Sequence, residues 1–401
     1  MRVLHVNTAA RTGGAAQVAS ALYRAQRARG QHATFLSGRP EPGGAPNEAT
    51  LPRARFLANV LAYRATTAEA PLDTRRWRRL LASHLAESDI VHLHNAHGYY
   101  LPRPVLQTLL ERPCVWTLHD LWLATGRCAA PQGCERWRTV CAPCPHPDRY
   151  PAAWHADREE QAGRRRLAQE SRAQFAVPSQ WLASCMIEAG VPAERLHVVP
   201  NPLLVVADRF DETARMAARR ALGWPEDRCV ALVAAGWLAD PNKNVSMVLE
   251  AMAHVARPER WFLALLGRPD RTMRRLIAAL SVETLLIERT GGFDALAQAY
   301  LAADLFLNPS RGESFGMTNL EALAHGCRLI CSDLPVFREV AGGAGCYVAP
   351  DDTGAWAAAL DTALAAWPAA PDMALAAELR RRYALDAVTD AYAALYGLAG
   401  G

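Results

Sequence analysis

The chain has 401 residues, 51% of them hydrophobic and 21% charged, with ten cysteines and a net charge of +4. This length exceeds what a single core usually supports, so we expect two domains. No apolar run approaches the roughly 18 residues of a membrane-spanning helix, and the first residues lack the apolar segment of a signal peptide, so we expect a cytoplasmic protein.

The first half alternates short apolar segments with helical patterns, which is typical of βαβ units on a parallel sheet. Strands are predicted at Val3–Val6, His32–Ser37, Asp89–His94, Cys114–His119, Gln174–Val177 and Arg195–Val199. Helices are predicted at Ala15–Arg29, Thr74–Glu87 and His155–Arg172. Pro200 and Pro202 then interrupt regular structure and mark a domain boundary.

The same pattern restarts in the second half. Strands are predicted at Cys229–Gly236, Trp261–Gly267, Thr284–Glu288, Leu305–Pro309, Arg328–Ser332 and Gly345–Val348. Helices are predicted at Val245–Val255, Met273–Leu280, Phe293–Ala302, Met317–His325, Ala374–Arg382 and Leu385–Leu398. The chain is therefore expected to form two doubly wound, Rossmann-like α/β domains, at 1–201 and 202–384, with the helix at 385–398 packing back on the first.

Ligands of such sheets bind beyond the carboxyl ends of the strands, where the segment SRGESFGMTNLEALAHG (310–326) is placed. Glycines allow the backbone to approach a ligand closely, and the first amides of the helix from Met317 would attract phosphate. Glu321 lies about one turn further and could reach hydroxyls beside that phosphate. Glu313, in the loop before the helix, would face the other end of the ligand. This layout fits a nucleotide sugar.

Lys243, in ADPNKNV (239–245), is the only lysine among 44 basic residues. Lysine carries a compact point charge that can enter a narrow slot beside phosphate oxygens, whereas arginine presents a flat fork. Chance is the alternative explanation, since most surface cations are interchangeable.

The Glu313-x7-Glu321 block resembles the signature of retaining family 4 glycosyltransferases with the GT-B fold, which use nucleotide-activated sugars. Similarity extends along nearly the whole chain. TGGAA (12–16) is similar to the glycine loop of this family, TLHD (117–120) to its first-domain histidine segment, and GWLADPNK (236–243) to its phosphate-binding lysine segment. The resemblance implies two domains facing each other across a cleft.

The resemblance also implies roles for individual residues. Lys243 would contact the donor diphosphate, and Glu321 would bind the ribose. Glu313 and His119 would contact the donor sugar, so the catalytic residues are predicted to be Glu313, His119 and Lys243. The backbone from Phe315 through Gly316 and Met317 to Thr318 would complete the phosphate site, and Gly13 and Gly14 would let the first domain close over it.

One position departs from the family pattern. Trp237 stands where the family usually has an arginine, and Arg268 and Arg311 are the candidates to replace that cation. No Asp-x-Asp triplet occurs in the sequence, so no catalytic metal is expected and protein groups would neutralise the leaving diphosphate. Family membership further implies retention of configuration without a protein nucleophile, with the departing diphosphate helping to deprotonate the acceptor.

The resemblance also places polar and aromatic residues around the ends of the third and fourth strands on the acceptor side. They comprise His94, His97, Tyr99 and Asp120. His92 and His94 share a strand face and could bind a metal, but hydrogen-bonding histidines are the preferred interpretation. Tyr99 and Tyr100 could stack on an acceptor sugar or pack the loop.

Four cysteines lie close together in sequence, at Cys128, Cys134, Cys141 and Cys144. Four thiolates could close a structural zinc site, although their spacing is not that of a common zinc ribbon. Free thiols remain the alternative, because disulfides are disfavoured in a reducing cytosol. A closed site of this kind would have no open position for catalysis.

Residues 1–200 contain 25 arginines against 16 acidic residues. The segment TRRWRRLL (74–81) could lie on an anionic membrane or form a solvated basic helix. No nucleic-acid motif accompanies this charge.

The expected function is transfer of a sugar from a UDP- or GDP-sugar to a glycan, lipid-linked or small-molecule acceptor. Bacterial surface polysaccharide assembly, with peripheral contact at the inner membrane, is the expected setting. The alternatives are glycosylation of a specialised metabolite, a nucleotide-sugar epimerase or hydrolase, and a zinc-dependent adaptor for membranes or nucleic acid.

Overall fold

The computed structural model describes residues 1–39, 52–154, 158–289 and 291–400. It separates into two compact units. Unit 1 comprises Met1–Pro202 together with Leu385–Gly401, and unit 2 comprises Leu203–Ala384. Each unit is built on one six-stranded sheet in which every pair of neighbouring strands is parallel.

The sheet of unit 1 has the strand order β2-β1-β3-β4-β5-β6. Its strands are β1 Arg2–Asn7, β2 His32–Ser37, β3 Ile90–Leu93, β4 Cys114–Thr117, β5 Gln174–Val177 and β6 Leu196–Val198. All six predicted strands are present. Because β3 ends at Leu93 and β4 at Thr117, His94 and His119 lie just past the carboxyl ends of two adjacent strands.

Seven α-helices accompany this sheet in the described part of unit 1. They are α1 Gly14–Ala28, α2 Arg53–Thr66, α3 Thr74–Ala86, α4 Arg103–Leu110, α5 Arg158–Glu170, α6 Gln180–Glu188 and α15 Leu385–Gly400. The predicted start of α5, at His155, lies outside the described residues. Helix α15 packs on α1 and on strands β3, β4 and β5, and Arg29 of α1 pairs with Asp386 and Asp390 of α15.

The sheet of unit 2 has the strand order β12-β11-β10-β7-β8-β9. Its strands are β7 Cys229–Trp237, β8 Trp261–Arg268, β9 Glu283–Ile287, β10 Leu305–Asn308, β11 Arg328–Ser332 and β12 Gly345–Val348. These are the six strands predicted for the second half. The first five residues of β7 and the first six of β8 are buried and apolar, as expected for the centre of a parallel sheet.

The α-helices described in unit 2 are α7 Glu212–Leu222, α8 Val245–Met252, α9 Arg271–Ala278, α10 Phe293–Ala302, α11 Met317–Ala324, α12 Pro335–Ala341, α13 Thr353–Ala365 and α14 Met373–Arg382. Helices α8 to α11 and α14 were predicted, although α8 ends at Met252 and not at Val255. Asn244, in left-handed conformation, precedes α8.

Six helices were not predicted, namely α2, α4, α6, α7, α12 and α13. Helix α7 shows why the apolar pattern failed there. Its inward face carries Arg215 and Arg219, which are 4% and 2% exposed. Arg219 donates to Asp304 at 2.5 Å, and Arg215 lies 3.5 Å from the same carboxylate. Asp304 also accepts the Val230 amide at 2.8 Å, so a buried ion cluster holds α7 where apolar side chains would usually do so.

Helix α3 contains the basic TRRWRRLL segment. Trp77 is 1% exposed and packs edge-on against Tyr100, while Arg75, Arg78 and Arg79 are exposed. Trp77 is therefore a core residue and cannot insert into a membrane. Within the described residues, no helix has both the length and the apolarity needed to cross a bilayer.

Candidate active site

The loop between β10 and α11 is ordered by its own polar side chains. Asn308, the last residue of β10, accepts hydrogen bonds from the amide and hydroxyl of Ser310, at 3.3 and 2.7 Å. Its amide nitrogen donates to Asn319 of α11 at 2.6 Å. Helix α11 begins at Met317, as predicted, and Gly316 before it supplies no side-chain cap. The amides of Met317 and Thr318 are thus available to a ligand, whereas the Asn319 amide donates to the Gly316 carbonyl.

Gly316 is required at this position for two reasons. Its φ of 89° is left-handed, and a Cβ would lie 2.7 Å from the Phe337 ring. We expect Gly316→Ala to lower the free energy of unfolding by about 1–3 kcal/mol more than Gly223→Ala. Gly223 is the matched control, because it is also left-handed but has open space around its Cβ position. Urea unfolding of both variants measures the difference, and equal losses would contradict the packing argument.

Lys243 and Glu313 form an ion pair. Lys243 Nζ donates to Glu313 Oε1, and the Ser310 hydroxyl lies 3.3 Å from the same oxygen. Burial disfavours the charge of Lys243, but the attraction of Glu313 and their hydrogen bond outweigh it, so the pKa of Lys243 is raised. The lone lysine is therefore a cation held against the loop that precedes α11.

Two loops are tied together around this ion pair. Asn242 Nδ2 donates to the Gly312 carbonyl at 2.8 Å, and the Arg311 amide donates to the Asn242 carbonyl at 2.8 Å. Asn244 Nδ2 donates to the Pro350 carbonyl at 2.9 Å. Sequence reasoning missed Asn242, Asn308 and Ser310. Their common signal is a short polar side chain at or just after a strand end, where backbone groups need partners.

Glu321 lies one turn into α11 and is 5% exposed. Its Oε2 accepts a hydrogen bond from Tyr300 of α10 at 3.0 Å. Burial raises the pKa of Glu321 to about 8, and the Tyr300 hydrogen bond opposes this only in part. The carboxyl group is therefore mostly protonated at neutral pH. Tyr300 stacks on His325, which bonds the Glu321 carbonyl at 2.7 Å.

The two candidate replacements for the missing family arginine differ in their surroundings. Arg268 ends β8 and is paired in register with Trp237 at the end of β7. Arg311 donates to Asp351 at 2.6 Å and to the Pro241 carbonyl at 3.2 Å. Arg268 is thus adjacent to the position that lacks the arginine, whereas Arg311 already has a carboxylate partner.

In unit 1, the glycine loop follows β1. Gly13 has a φ of 97° and precedes α1, which begins at Gly14. Both glycines are exposed, and a Cβ at Gly13 would meet no atom within 4 Å. The left-handed backbone conformation therefore explains why a glycine occupies position 13, and no close contact within unit 1 requires a glycine there.

Four buried histidines lie together and are called the histidine row: His5, His94 and His119 are linked by hydrogen bonds, and His92 stacks on His94. His5 Nδ1 lies 3.1 Å from His94 Nε2, and His94 Nδ1 lies 3.1 Å from His119 Nε2. His92 contacts the hydroxyls of Tyr396 and Thr117, both at 2.8 Å. Burial lowers the pKa of His5 and of His119 to about 4, so these rings are neutral at pH 7.

Gln26 determines which ring nitrogens of the histidine row donate hydrogen bonds and which accept them. Its Oε1 accepts from His5 Nε2 at 2.9 Å, so the neutral His5 ring must accept at Nδ1 from His94 Nε2. The His94 ring then accepts at Nδ1 from His119 Nε2. His119 Nδ1 is consequently unprotonated and suited to accept a hydrogen bond from a ligand hydroxyl.

Metal binding by the histidine row is the alternative explanation. In the described part of the chain, the nitrogen atoms of His5, His92 and His94 lie within 4.8 Å of one another. Both nitrogens of each of these rings already have hydrogen-bond partners. The hydrogen-bonding interpretation of His92 and His94 is therefore confirmed. The prediction that His94 contacts the acceptor is wrong, because His94 is fully buried and has no free nitrogen.

The remaining predicted acceptor-side residues form a second cluster. His97 Nε2 donates to Asp120 Oδ2 at 2.8 Å, and the Trp122 amide donates to Asp120 Oδ1 at 2.9 Å. Tyr99 is 8% exposed, and its hydroxyl accepts the Ala152 amide at 2.9 Å. Tyr99 therefore packs the loop and cannot stack on a sugar, and the same holds for Tyr100, whose exposed fraction is 0%.

The four clustered cysteines, Cys128, Cys134, Cys141 and Cys144, surround one small cavity. No three of their sulfur atoms are as close together as the histidine nitrogens above, so the thiols do not form a closed metal site in this structure. Arg127 beside them is 1% exposed. It donates to Cys144 Sγ at 3.2 Å and to the Arg149 and Pro151 carbonyls.

Comparison with protein families gives one match on each unit. The family described as Glycosyltransferase Family 4 matches residues 12–203. The family described as Glycosyl transferases group 1 matches residues 230–366. The second range contains both Lys243 and the Glu313-to-Glu321 segment.

Individual proteins resemble the chain over most of its length. The glycosyl transferase WcaC of Escherichia coli K12, named for colanic acid biosynthesis, is 27% identical over 366 residues, or 85% of each chain. Sucrose-phosphate synthase from Thermosynechococcus elongatus superposes with a TM-score of 0.70 at 17% identity over 99% of each chain. Anabaena HepE, in complex with UDP and glucose, gives 0.66 at 17% identity over 98% of each chain. From the two family matches and the shared fold, we conclude that the chain is a glycosyltransferase with the GT-B fold.

Proposed function

We propose that the protein transfers a sugar, with retention of configuration, from a nucleotide-diphosphate donor to an acceptor hydroxyl in bacterial surface polysaccharide or glycoconjugate assembly. The observation that carries this proposal is the Lys243–Glu313 ion pair in the loop that leads to the uncapped start of α11, with Glu321 one turn into that helix. The likeness to WcaC over 85% of both chains supports the polysaccharide setting.

In this proposal the donor binds along the start of α11. Lys243 and the amides of residues 315–318 hold the diphosphate, and Glu321 accepts hydrogen bonds from the ribose. Glu313 orients the sugar and leaves Lys243 when the diphosphate arrives, because one ammonium cannot fully neutralise both. UDP in the HepE structure supports a nucleotide donor for this fold.

Neutralisation of the leaving diphosphate by protein groups follows from the same residues. We assign the second cation to Arg268, since it lies in register with Trp237 at the strand end. Arg311 is less suitable because Asp351 already partners it. The proposal includes no catalytic metal and no protein nucleophile, and it leaves deprotonation of the acceptor to the departing diphosphate. His119 remains the predicted donor-sugar ligand of unit 1.

Calorimetric titration with UDP and GDP, followed by a product assay on a panel of UDP- and GDP-sugars, tests the function. We expect one of the two nucleotides to bind, and transfer to persist in the presence of a chelator. Product analysis should show the anomeric configuration of the donor. Inverted product, or loss of turnover on chelation, would refute the proposed chemistry. Turnover without any acceptor would instead favour a nucleotide-sugar hydrolase or epimerase.

The zinc site expected from the four clustered cysteines remains a prediction, and Arg127 supports it. This buried guanidinium has carbonyl and thiol partners but no carboxylate partner in the described residues. A zinc ion bound by four thiolates carries two negative charges and would supply the missing counter-charge.

We expect about one zinc per chain by elemental analysis, falling sharply in Cys141→Ser. Cys346→Ser is the matched control, because Cys346 is an exposed cysteine of β12 outside the cluster. A protein without zinc, in which all four clustered thiols react with an alkylating reagent, would contradict the prediction.

A further inference from the structure

Tyr300 of α10 is a buried residue to which the proposed donor site assigns no role. Its side chain is 0% exposed, so its hydroxyl needs a partner inside the protein. That partner is Glu321 Oε2 of α11, at 3.0 Å. Burial and the neighbouring Glu321 carboxyl raise the pKa of Tyr300 well above its usual value, so the hydroxyl keeps its proton. Tyr300 is therefore the donor of this hydrogen bond.

The Tyr300 ring is fixed by two aromatic neighbours. It stacks on His325, with ring centroids 5.6 Å apart and 23° between the ring planes. It also meets Phe306 of β10 edge-on, with ring centroids 5.4 Å apart. The Cys327 thiol donates to the Tyr300 carbonyl at 3.0 Å. Side chains locked by packing in this way can hold a ligand-binding group at a defined position.

His325, on which Tyr300 stacks, is itself fixed by two backbone groups. Burial lowers the pKa of His325 to about 4, so its ring is neutral at pH 7. Its Nε2 accepts from the Ala207 amide at 3.1 Å, so Nδ1 must donate to the Glu321 carbonyl, at 2.7 Å. Glu321 is therefore held through its side chain by Tyr300 and through its backbone by His325.

The two carboxyl oxygens of Glu321 have different surroundings. Oε2 accepts from Tyr300, whereas Oε1 has no hydrogen-bond partner within the described ranges. Oε1 is also not one of the enclosed polar atoms that lack a partner, and Glu321 keeps 5% exposure. Oε1 is thus the oxygen left for a ligand. Burial raises the pKa of Glu321 and the Tyr300 hydrogen bond lowers it, so Tyr300 also favours the ionised form that accepts from hydroxyls.

We propose that Tyr300 is a positioning residue of the donor site, whose hydroxyl holds Glu321 Oε2 and thereby leaves Oε1 to accept from a ribose hydroxyl of the nucleotide. This inference rests on the proposed function, which assigns Glu321 to the ribose. It adds that Tyr300 acts on nucleotide binding only through Glu321, without touching the nucleotide.

Nucleotides with and without ribose hydroxyls test the inference by calorimetry. The probes are UDP, GDP and the 2′,3′-dideoxy analogue of each. Tyr300→Phe removes the hydroxyl but keeps the ring that packs on His325 and Phe306. We expect this variant to bind the nucleotide preferred by the wild type about tenfold more weakly, or worse, because the lost bond is made to a charged group. Affinity for the dideoxy analogue should be unchanged, which also verifies the fold of the variant.

Two further variants locate the effect. In Glu321→Ala no carboxyl group remains to be positioned, so adding Tyr300→Phe to it should cause no further loss of nucleotide affinity. Tyr347→Phe is the matched control, because it also removes a tyrosine hydroxyl of unit 2, one that donates to the Gly342 carbonyl. We expect Tyr347→Phe to bind all four probes as the wild type does.

The possible failures are distinguishable. If Tyr300→Phe bound the nucleotide as tightly as the wild type, or lost the same factor for nucleotide and analogue, the inference would be wrong and the proposed function unaffected. Equal affinity of the wild type for nucleotide and analogue would refute the ribose role of Glu321 and the inference with it. If the wild type bound neither UDP nor GDP, the proposed function itself would fail.

Discussion

Lys243→Ala is expected to lower turnover by about 10²–10³, equivalent to about 3–4 kcal/mol of transition-state stabilisation. The physical reason is twofold. The variant loses the cation proposed to bind the diphosphate, and it leaves Glu313, 18% exposed, without its lysine partner next to that incoming group. Steady-state rates with the best nucleotide sugar measure the effect.

Two further variants separate charge from shape at this position. Lys243→Arg keeps the charge but places a planar fork where the ammonium fits, so we expect only partial recovery of turnover. Arg381→Ala, which removes an exposed cation of α14, should leave the rate unchanged. Near-normal turnover of a folded Lys243→Ala protein would remove the central element of the proposal.

Glu321→Gln should alter the pH dependence of stability. The ordinary carboxyl pKa is 4.5, and the folded protein raises that of Glu321 to about 8. Between these values the folded state retains a proton that the unfolded state has released. The free energy of unfolding contributed by Glu321 therefore falls as pH rises through this window, by at most about 1.4 kcal/mol per pH unit, and is constant above it.

Urea unfolding of wild type and Glu321→Gln at several pH values between about 5 and 9 measures this contribution. The glutamine can still accept the Tyr300 hydrogen bond, so the variant isolates ionisation from packing. We expect the free energy of unfolding of the variant to increase relative to that of the wild type as pH rises. The difference between the two free energies should become constant above about pH 8. If plots of unfolding free energy against pH were parallel for the two proteins, Glu321 would already be ionised in the folded protein. Saturating UDP should reduce the slope if ribose hydroxyls donate to this carboxylate.

Much of the fold could be predicted because buried parallel strands are continuous apolar runs. All twelve strands were located this way, and α11 was placed from Met317 by the glycines before it. Helices whose inward face is not apolar were missed, as α7 shows with its buried arginines. Helix α12 begins at a proline and has only seven residues, too few for a helical period to be recognised.

The candidate site residues also differ in whether the sequence alone could predict them. Lys243, Glu313 and Glu321 belong to short segments whose residue types indicate phosphate and hydroxyl binding. Asn242 and Gly312 could not be associated from sequence, because 70 positions separate them and only the fold joins their two loops. His94 was misassigned for a related reason. Strand alternation correctly pairs it with His92, but its partner His5 belongs to another strand.

The attachment of the histidine row to α15 has a consequence for biosynthesis. His92 is paired with the Tyr396 hydroxyl, and Gln26 donates to the same hydroxyl at 2.9 Å. These partners are encoded more than 300 positions apart. The ribosome therefore synthesises all of unit 2 before it synthesises α15, the last helix of unit 1. We expect the N-terminal part of unit 1 to lack the Tyr396 hydrogen bonds to His92 and Gln26 until α15 has been made.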